Sequence, residues 1–419
     1  MDAFRIEGGL PLKGTAAVET AKNAQLPCLA AALLTSEPVT FEAPSAHADI
    51  STMLEVLGHL GVEVSRSPSG ALTLKTVNGG GHLEAPYDLV RRMRASVLVL
   101  GPMVARFKRG RVSLPGGCAI GARPVDLHLR ALSALGADIR VEHGFIEAAA
   151  PRLRGAEVVF DKVTVGGTEN LLMAAVLAEG TTVIRNAARE PEITDLCRLL
   201  TAMGARIEGA GSDTLRVEGV RNLHGAVHRC IPDRIVAGTL LLAGAITGGD
   251  VACAPAVPEH LEALLVKLRE MGARVETGPD RVRVAAPEPL RAVDVVTLPY
   301  PGFPTDLQAQ FLALLTAAHG TGTVKETIFE NRFMHVPELL RMGARIRIEG
   351  RLAVVTGPVR LTGAPVMASD LRASASLVLA GLAAEGTTRI RRIYHLDRGY
   401  ERLEERLRAL GGRVERFAE

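Results

Sequence analysis

The chain has 419 residues, 47% of them hydrophobic, and a formal net charge of +3. It is therefore long and apolar enough for two or three domains with their own cores. Aromatic residues make up only 3%, and no basic run alternates with them, which argues against nucleic-acid binding. The longest apolar stretches, 95–105 and 235–246, are too short to span a bilayer, and the charged N-terminus has no signal-peptide core. We therefore expect a cytoplasmic protein.

The five cysteines are scattered and form no CxxC pair. This pattern argues against a disulfide framework and against a zinc site. They are Cys28, Cys118, Cys197, Cys230 and Cys253.

A short motif recurs six times along the chain: an apolar residue, glycine, a small residue, any residue and a β-branched residue. Each copy follows an amphipathic run, so the glycine is expected to end a helix and release the chain into a strand. The intervals between the glycines are 75, 68, 68, 71 and 68 residues, which predicts six related structural units. The glycines are Gly61, Gly136, Gly204, Gly272, Gly343 and Gly411.

Each repeat of about 70 residues also contains an almost uninterrupted apolar run that ends in a glycine turn, as at 171–177, 240–246 and 377–383. A helix that is apolar on all sides belongs in the middle of a domain. We predict an α/β fold of six βαβαββ repeats with buried helices and outward-facing sheets. Doubly wound sheets and TIM barrels do not bury their helices in this way.

Ionisable residues collect where each repeat enters a helix. A single carboxylate there is explained by helix capping, and a single arginine by a solvated face. Several arginines at helix N-termini oppose the macrodipole, however, and together with free backbone amides they favour anions. The sequence therefore predicts a cleft that binds phosphates and carboxylates. The ionisable residues expected to line this cleft include Lys22, Arg94, Asp126, Asp306, Arg332, Arg372 and Arg398.

Cys118 lies in the loop sequence Leu-Pro-Gly-Gly-Cys-Ala-Ile-Gly-Ala-Arg-Pro. Its glycines and prolines exclude both a helix and a central strand. Arg123 follows five residues later and favours the thiolate, as a reactive cysteine requires. The alternative is a buried structural cysteine, which is common for free thiols. The position of Cys118 at a strand-to-helix junction favours the reactive interpretation.

These residues resemble the enolpyruvyl transferase family, and the resemblance runs from end to end. It is carried by the Cys118 loop and by the runs Ala-Lys-Asn-Ala at 21–24, Phe-Pro-Thr-Asp at 303–306, Phe-Glu-Asn-Arg-Phe-Met-His at 329–335 and Asp-Leu-Arg-Ala-Ser at 370–374. The resemblance implies a two-domain inside-out α/β barrel. One domain would span 21–230, the other 1–20 plus 231–419, with the active site in the cleft between them.

The resemblance also implies the reaction. The enolpyruvyl group of phosphoenolpyruvate would pass to the 3′-hydroxyl of UDP-N-acetylglucosamine with release of phosphate, a step of peptidoglycan precursor synthesis. Cys118 matches the family's general acid, and its thiolate can also add to C2. Asp306 matches the carboxylate beside the 3′-hydroxyl, as base or as orienting group. Phosphonate epoxides that mimic phosphoenolpyruvate are expected to alkylate Cys118.

The resemblance also implies further substrate contacts, each at the matching position of this sequence. The protein itself supplies the cations, so we expect no metal and no cofactor. The implied phosphoenolpyruvate contacts are Lys22, Asn23, Arg123, Arg332, Arg372 and Arg398. Of these, Lys22 and Arg398 are also implied to be catalytic, together with Cys118 and Asp306. The implied UDP-N-acetylglucosamine contacts are Asn23, Arg94, Arg123, Pro124, Val125, Asp126, Leu127, Lys162, Val163, Thr164, Val165, Gly166, Asp306 and Ile328.

Two other functions are compatible with parts of the sequence. An enolpyruvyl transferase for a shikimate-type alcohol is disfavoured because that sister family lacks the cysteine loop. A regulatory paralogue that only binds the nucleotide is disfavoured by the intact Cys118, Asp306 and cation set. In the 44–49 loop, Ala48 stands where a basic residue often precedes the Asp, which weakens any ligand role for that loop.

Overall fold

The computed structural model of the chain describes residues 2–77, 82–114 and 125–419. The strands in these ranges are β1 (Asp2–Glu7), β2 (Lys13–Ala17), β3 (Val39–Phe41), β4 (Val62–Arg66), β5 (Leu72–Thr76), β6 (Glu84–Ala85), β7 (Arg109–Ser113), β8 (Asp138–Glu142), β9 (Phe145–Ala149), β10 (Glu157–Val159), β11 (Thr181–Arg185), β12 (Arg206–Glu208), β13 (Thr214–Glu218), β14 (Ala226–His228), β15 (Asp250–Ala254), β16 (Arg274–Thr277), β17 (Val282–Ala285), β18 (Val295–Val296), β19 (Gly320–Lys325), β20 (Ile346–Glu349), β21 (Leu352–Gly357), β22 (Pro365–Met367), β23 (Thr387–Arg391) and β24 (Arg413–Ala418).

The α-helices are α1 (Lys22–Ala31), α2 (Ala48–His59), α3 (Tyr87–Val90), α4 (Leu100–Phe107), α5 (Asp126–Ala134), α6 (Val165–Ala175), α7 (Pro191–Ala202), α8 (Arg234–Ile246), α9 (Glu262–Glu270), α10 (Gln308–Ala317), α11 (Val336–Arg341), α12 (Leu371–Ala383) and α13 (Leu403–Ala409). Short 3-10 turns precede several of them, as at Arg94–Val99 before α4 and Thr305–Leu307 before α10.

Within the described residues, six four-stranded sheets repeat one topology, which confirms the predicted repeat. In the sheet β10-β11-β13-β12, β10 and β11 are parallel and joined through α6, while β13 pairs antiparallel with both β11 and β12. In strands such as β13, buried and exposed residues alternate, so one face of the sheet packs inward and the other meets solvent.

All six repeat glycines adopt the left-handed backbone conformation. Their φ values lie between +86° at Gly61 and +101° at Gly204. A residue with a side chain is strained there, because its Cβ approaches the following carbonyl oxygen. The recurring glycine therefore reflects a repeated helix C-cap, as the sequence predicted.

The described chain forms two compact units. The N-terminal unit contains the described residues between 20 and 231, and the C-terminal unit contains residues 2–19 and 232–419. Each has its own hydrophobic core and three of the six sheets. The first strands of the chain complete sheets of the C-terminal unit: β1 pairs with β23 and β24, and β2 pairs with β15.

Helices of two kinds alternate along each unit. α6, α8 and α12 are buried over nearly their whole length, as their apolar composition predicted. Helices such as α9 bury only one stripe, and charged residues occupy the opposite face. Within the described ranges, no helix has both the length and the apolar character needed to cross a bilayer. The polar N-termini of the buried helices carry most of the predicted site residues.

Candidate active site

The C-terminal unit holds Asp306 between two arginines. Asp306 lies in the 3-10 turn before α10, Arg372 is the second residue of α12, and Arg332 precedes α11. Arg332 Nη2 donates to Asp306 Oδ1 at 2.9 Å. Arg372 donates to Asp306 Oδ2 from Nη2 at 3.0 Å and from Nε at 3.2 Å. The fold thus brings together three predicted site residues that are far apart in sequence.

Exposure differs sharply within this cluster. The side chains of Arg332 and Arg372 are 4% exposed, whereas that of Asp306 is 27% exposed. Among the described residues, Arg372 Nη1 has no hydrogen-bond partner. A buried donor without a partner is costly, so this nitrogen is suited to bind an incoming anion. A small molecule can reach the carboxylate while the protein encloses the cations that hold it.

Tyr400 supports Arg372 from another side. The guanidinium carbon lies 5.3 Å from the centre of the Tyr400 ring, a distance at which cation and aromatic face attract. The Tyr400 hydroxyl lies 3.0 Å from Thr239 Oγ1 and accepts a hydrogen bond from Gln310 Nε2 at 3.1 Å. Burial alone lowers the pKa of Arg372, but Asp306 and Tyr400 outweigh it and raise the pKa overall. The arginine is therefore charged and fixed in place.

Glu326 is a buried carboxylate that the sequence did not identify. Its Oε1 accepts from Thr297 Oγ1 at 2.9 Å and from the Ile328 backbone amide at 2.8 Å, while Oε2 accepts from Thr305 Oγ1 at 2.8 Å. Thr305 precedes Asp306, and Ile328 is a predicted sugar contact. Glu326 therefore fixes two predicted site segments at once. Nothing in the Lys-Glu-Thr sequence around it announces this role, because its partners come from distant loops.

Arg398 lies partly buried at the end of the 3-10 turn Ile393–Arg398. The neighbouring Asp397 is bound by Arg416, with Nη2 2.6 Å from Oδ1 and Nη1 3.1 Å from Oδ2. This pair joins the turn to β24, which fixes the backbone beside Arg398. Asp397 is thus engaged in holding the turn that carries the predicted cation.

The N-terminal unit pairs Lys22 with Asp49. Lys22 Nζ is 3.0 Å from Asp49 Oδ2, and the two side chains are 8% and 6% exposed. Lys22 is the first residue of α1, and Asp49 lies in the first turn of α2. The loop before α2 is also anchored on α1, since Ser45 donates from its amide and its hydroxyl to Gln25 Oε1. The 44–49 loop therefore positions Lys22 despite the departure at Ala48.

The predicted nucleotide segments meet around His128 and Asn170, neither of which was among the predicted contacts. Asn170 Nδ2 lies 3.2 Å from His128 Nδ1 and 3.0 Å from the Val97 carbonyl oxygen. A Cβ atom at Gly166 would lie 3.0 Å from His128 Cε1, which is tighter than ordinary packing. Burial, and then the charge of Arg94, lowers the pKa of His128 to about 4. His128 is therefore neutral at pH 7, and its ring packs closely against the first turn of α6.

Thr164 caps α6. Its Oγ1 accepts a hydrogen bond from the Gly167 amide at 3.2 Å, the usual arrangement of an N-cap residue. Lys162 is exposed two residues earlier, and Val163, Val165 and Gly166 are partly buried. The opening turn of α6 thus combines backbone amides with a nearby cation, which suits a phosphate.

Other predicted nucleotide contacts occupy the helix starts of the same unit. Val125 is buried, while Asp126 and Leu127 are partly buried at the beginning of α5. Asn23 is partly buried beside Lys22 at the start of α1. Cys118, Arg123 and Pro124 lie outside the described residues, so their roles remain predictions.

Three comparisons place the chain among known proteins. The family model for EPSP synthase (3-phosphoshikimate 1-carboxyvinyltransferase) matches residues 6–407. A UDP-N-acetylglucosamine 1-carboxyvinyltransferase of Koribacter versatilis (strain Ellin345) is 56% identical over 421 aligned positions, covering 100% of this chain and 97% of the relative. The enolpyruvyl transferase NikO from Streptomyces tendae superposes with a TM-score of 0.89 at 28% identity, covering 99% of both chains. An EPSP synthase from Acinetobacter baumannii has the same fold, with a TM-score of 0.76 at 19% identity over 100% of both chains.

Proposed function

Because the chain belongs to the EPSP synthase family of enolpyruvyl transferases, we propose that it transfers the enolpyruvyl group of phosphoenolpyruvate to the 3′-hydroxyl of UDP-N-acetylglucosamine. Inorganic phosphate is the second product, and the reaction supplies a precursor for peptidoglycan. The observation that carries the proposal is the exposed Asp306 carboxylate held by two enclosed arginines. The relative that is 56% identical over the whole chain supports the choice of acceptor.

The chemistry requires an acid, a hydroxyl acceptor and several cations. A proton adds to C3 of phosphoenolpyruvate while the 3′-oxygen bonds to C2 and gives up its own proton. The resulting tetrahedral centre then loses phosphate from C2 and a proton from C3, which restores the double bond. Charge on the phosphate and carboxylate must be balanced throughout, and preorganised cations do this at little reorganisation cost.

Asp306 accepts the hydrogen bond of the 3′-hydroxyl in this proposal. Its two arginine partners fix the direction of both carboxylate oxygens, so the hydroxyl is oriented before the carbon–oxygen bond forms. Each guanidinium has N–H donors beyond those given to Asp306, and Arg372 Nη1 is one of them. These donors suit the carboxylate of phosphoenolpyruvate.

Lys22, Asn23, Arg123 and Arg398 complete the proposed phosphoenolpyruvate contacts. The nucleotide would contact Arg94, the segment from Arg123 to Leu127, the segment from Lys162 to Gly166, and Ile328. Cys118 is the proposed general acid and the proposed target of phosphonate epoxides. Both sets of contacts serve one reaction.

A phosphate-release assay tests the proposal directly. We expect release only when phosphoenolpyruvate and UDP-N-acetylglucosamine are both present, and no release when either is omitted. Replacing the nucleotide with a shikimate-type alcohol in a competition assay tests the acceptor. Preferential use of the alcohol would overturn the proposed substrate, and tight nucleotide binding without turnover would point to a regulatory protein.

Substitution of Cys118 tests the acid. We expect Cys118→Ser to lower turnover by about 10²–10⁴, the usual contribution of a general acid. Cys197→Ser, which changes a buried cysteine of α7, is the matched control and should retain turnover. Full activity of Cys118→Ser would contradict the assignment, as would the absence of an epoxide adduct in the intact mass of the wild-type protein.

A further inference from the structure

Four side chains with metal-binding atoms converge inside the N-terminal unit, and none of them is among the predicted site residues. They are Cys28, Asp195, His228 and Cys230, and one ligand atom of each lies within 4.8 Å of every other. Cys28 belongs to α1, Asp195 to α7, and His228 ends β14, with Cys230 two residues later. Three separate elements of the fold therefore contribute to one cluster.

The cluster is enclosed. Cys28 is fully buried, Cys230 is 7% exposed and Asp195 is 1% exposed, while the His228 side chain is 10% exposed. Charged or polar side chains are rarely buried together unless they are paired or bind a metal. An adventitious surface cluster of acidic groups has neither this enclosure nor this mixture of sulfur, nitrogen and oxygen.

The contact between His228 and Asp195 has the geometry of two ligands of one ion. His228 Nε2 lies 3.3 Å from Asp195 Oδ1, yet Nε2 has no hydrogen-bond partner among the described residues. In a tetrahedral zinc site with metal–ligand bonds of about 2.0 Å, neighbouring nitrogen and oxygen ligands are roughly 3.3 Å apart. The separation of the imidazole nitrogen and the carboxylate oxygen therefore equals the one expected for two ligands of a tetrahedral zinc ion.

A hydrogen bond from the backbone orients the Asp195 carboxylate. Asp195 Oδ2 lies 3.4 Å from the backbone nitrogen of Ile231, the residue after Cys230, which leaves Oδ1 directed at the cluster. The Ile231 carbonyl oxygen in turn accepts from the Ala21 amide at 2.8 Å, at the entry to α1. At metal sites, hydrogen bonds from neighbouring groups to the ligand side chains hold those side chains in the orientation that binds the metal.

We propose that Cys28, Asp195, His228 and Cys230 bind one Zn²⁺ ion in a closed, structural site. Two thiolates, one imidazole and one carboxylate form a four-ligand set that suits tetrahedral zinc, and soft sulfur ligands disfavour magnesium and calcium. Binding displaces the protons of both thiols and ties α1, α7 and the end of β14 together. The site has no position for substrate, so its role is stability of the N-terminal unit rather than catalysis.

The experiment uses the full-length protein and two probes, Zn²⁺ and Co²⁺. Purified protein is supplied with Zn²⁺, freed of excess metal by gel filtration and analysed by elemental mass spectrometry. We expect one tightly held Zn²⁺ per chain. Exchange with Co²⁺ should give the visible absorption of tetrahedral cobalt and a near-ultraviolet thiolate-to-metal band, and this measurement on the wild type needs no variant.

Variants assign the ligands. Cys28→Ser and Cys230→Ser should each weaken metal retention by more than about tenfold. Each variant should also lower the intensity of the thiolate-to-cobalt band by half or more, because one of the two thiolate ligands is lost. Cys197→Ala is the matched control, because Cys197 is a buried cysteine of the same helix as Asp195 but is not part of the cluster. It should retain one metal per chain. Wild-type protein without bound metal, an octahedral cobalt spectrum, or a disulfide between Cys28 and Cys230 under a phosphine reductant would each overturn the proposal.

Discussion

The two units use ion pairs at their buried helices in different ways. In the C-terminal unit, the arginines are enclosed and the carboxylate of Asp306 is 27% exposed. In the N-terminal unit, Lys22 and Asp49 are both less than 10% exposed. An accessible carboxylate can receive a substrate hydroxyl, whereas an enclosed pair mainly positions its members. We therefore expect loss of the Asp306 cluster to lower the rate of the reaction. Loss of the Lys22–Asp49 pair should also lower the stability of the fold.

Asp306→Asn should have the largest effect. The change keeps the shape but removes the charge that accepts the 3′-hydroxyl, so we expect turnover to fall by about 10²–10⁴. Steady-state phosphate release measures it. Asp280→Asn, an exposed aspartate of the same unit, is the control and should be unaffected. A rise in KM with unchanged turnover would mean that Asp306 contributes to binding alone.

Asp49→Asn should act chiefly on stability. It leaves the Lys22 charge buried without this carboxylate, and breaking a buried pair costs about 3 kcal/mol or more of the free energy of unfolding. Urea denaturation measures the loss, and Asp88→Asn, which changes an aspartate with an 83% exposed side chain, is the control. The double variant Lys22→Met with Asp49→Asn should be less destabilised than Asp49→Asn. Equal destabilisation would show that the buried Lys22 charge is not the source of the loss.

The buried histidine His128 in the N-terminal unit predicts acid sensitivity. Because the pKa of His128 falls from 6.5 in the unfolded chain to about 4 in the folded one, the unfolded state binds more protons between these values. Its contribution to stability is complete above pH 6.5 and is lost as the pH falls towards 4, by roughly 3 kcal/mol in total. Urea denaturation at several pH values checks this. His128→Gln should weaken the pH dependence in this window, to which the buried His335 of the C-terminal unit also contributes. His224→Gln, at an exposed position, should leave it unchanged.

Glu326→Gln should have the smallest effect of the four. The glutamine oxygen still accepts hydrogen bonds, but its NH₂ group would face a hydroxyl that now donates to Glu326. Two donors that face each other leave a hydrogen bond unmade, which costs about 1–3 kcal/mol of the free energy of unfolding. We expect a higher KM for the nucleotide, because Glu326 holds the segments of Ile328 and Asp306, and a smaller change in kcat. Glu288→Gln, an exposed residue of the same unit, is the control. An unchanged KM would contradict a positioning role for Glu326.

The repeats were predictable because each depends on local interactions. The glycine after each amphipathic helix is needed because the helix ends in a left-handed backbone conformation, which depends on only a few neighbouring residues. All six glycines have this predicted conformation. The continuous apolar runs likewise predicted buried helices such as α8 and α12, because a helix without a polar face has nowhere else to lie. The family resemblance added the candidate residues, because its motifs are contiguous in sequence.

Pairings across long distances in the chain could not be predicted in the same way. No local pattern joins Glu326 to Thr297, or His128 to Asn170. The cysteine spacing argued against a zinc site, yet α1 and the end of β14 bring Cys28 and Cys230 together from about 200 residues apart. Spacing rules consider only residues that are close in sequence, whereas the proposed zinc ligands are brought together by tertiary packing.

The sequence by itself thus determined the six-fold repeat, the buried helices and the chemical types of the candidate residues, because periodicity and backbone geometry are local. Only the tertiary structure decided which charges meet, which of them are enclosed and which stay accessible. Those outcomes depend on distances between distant segments and on removal of water by packing, and both quantities exist only once the chain has folded.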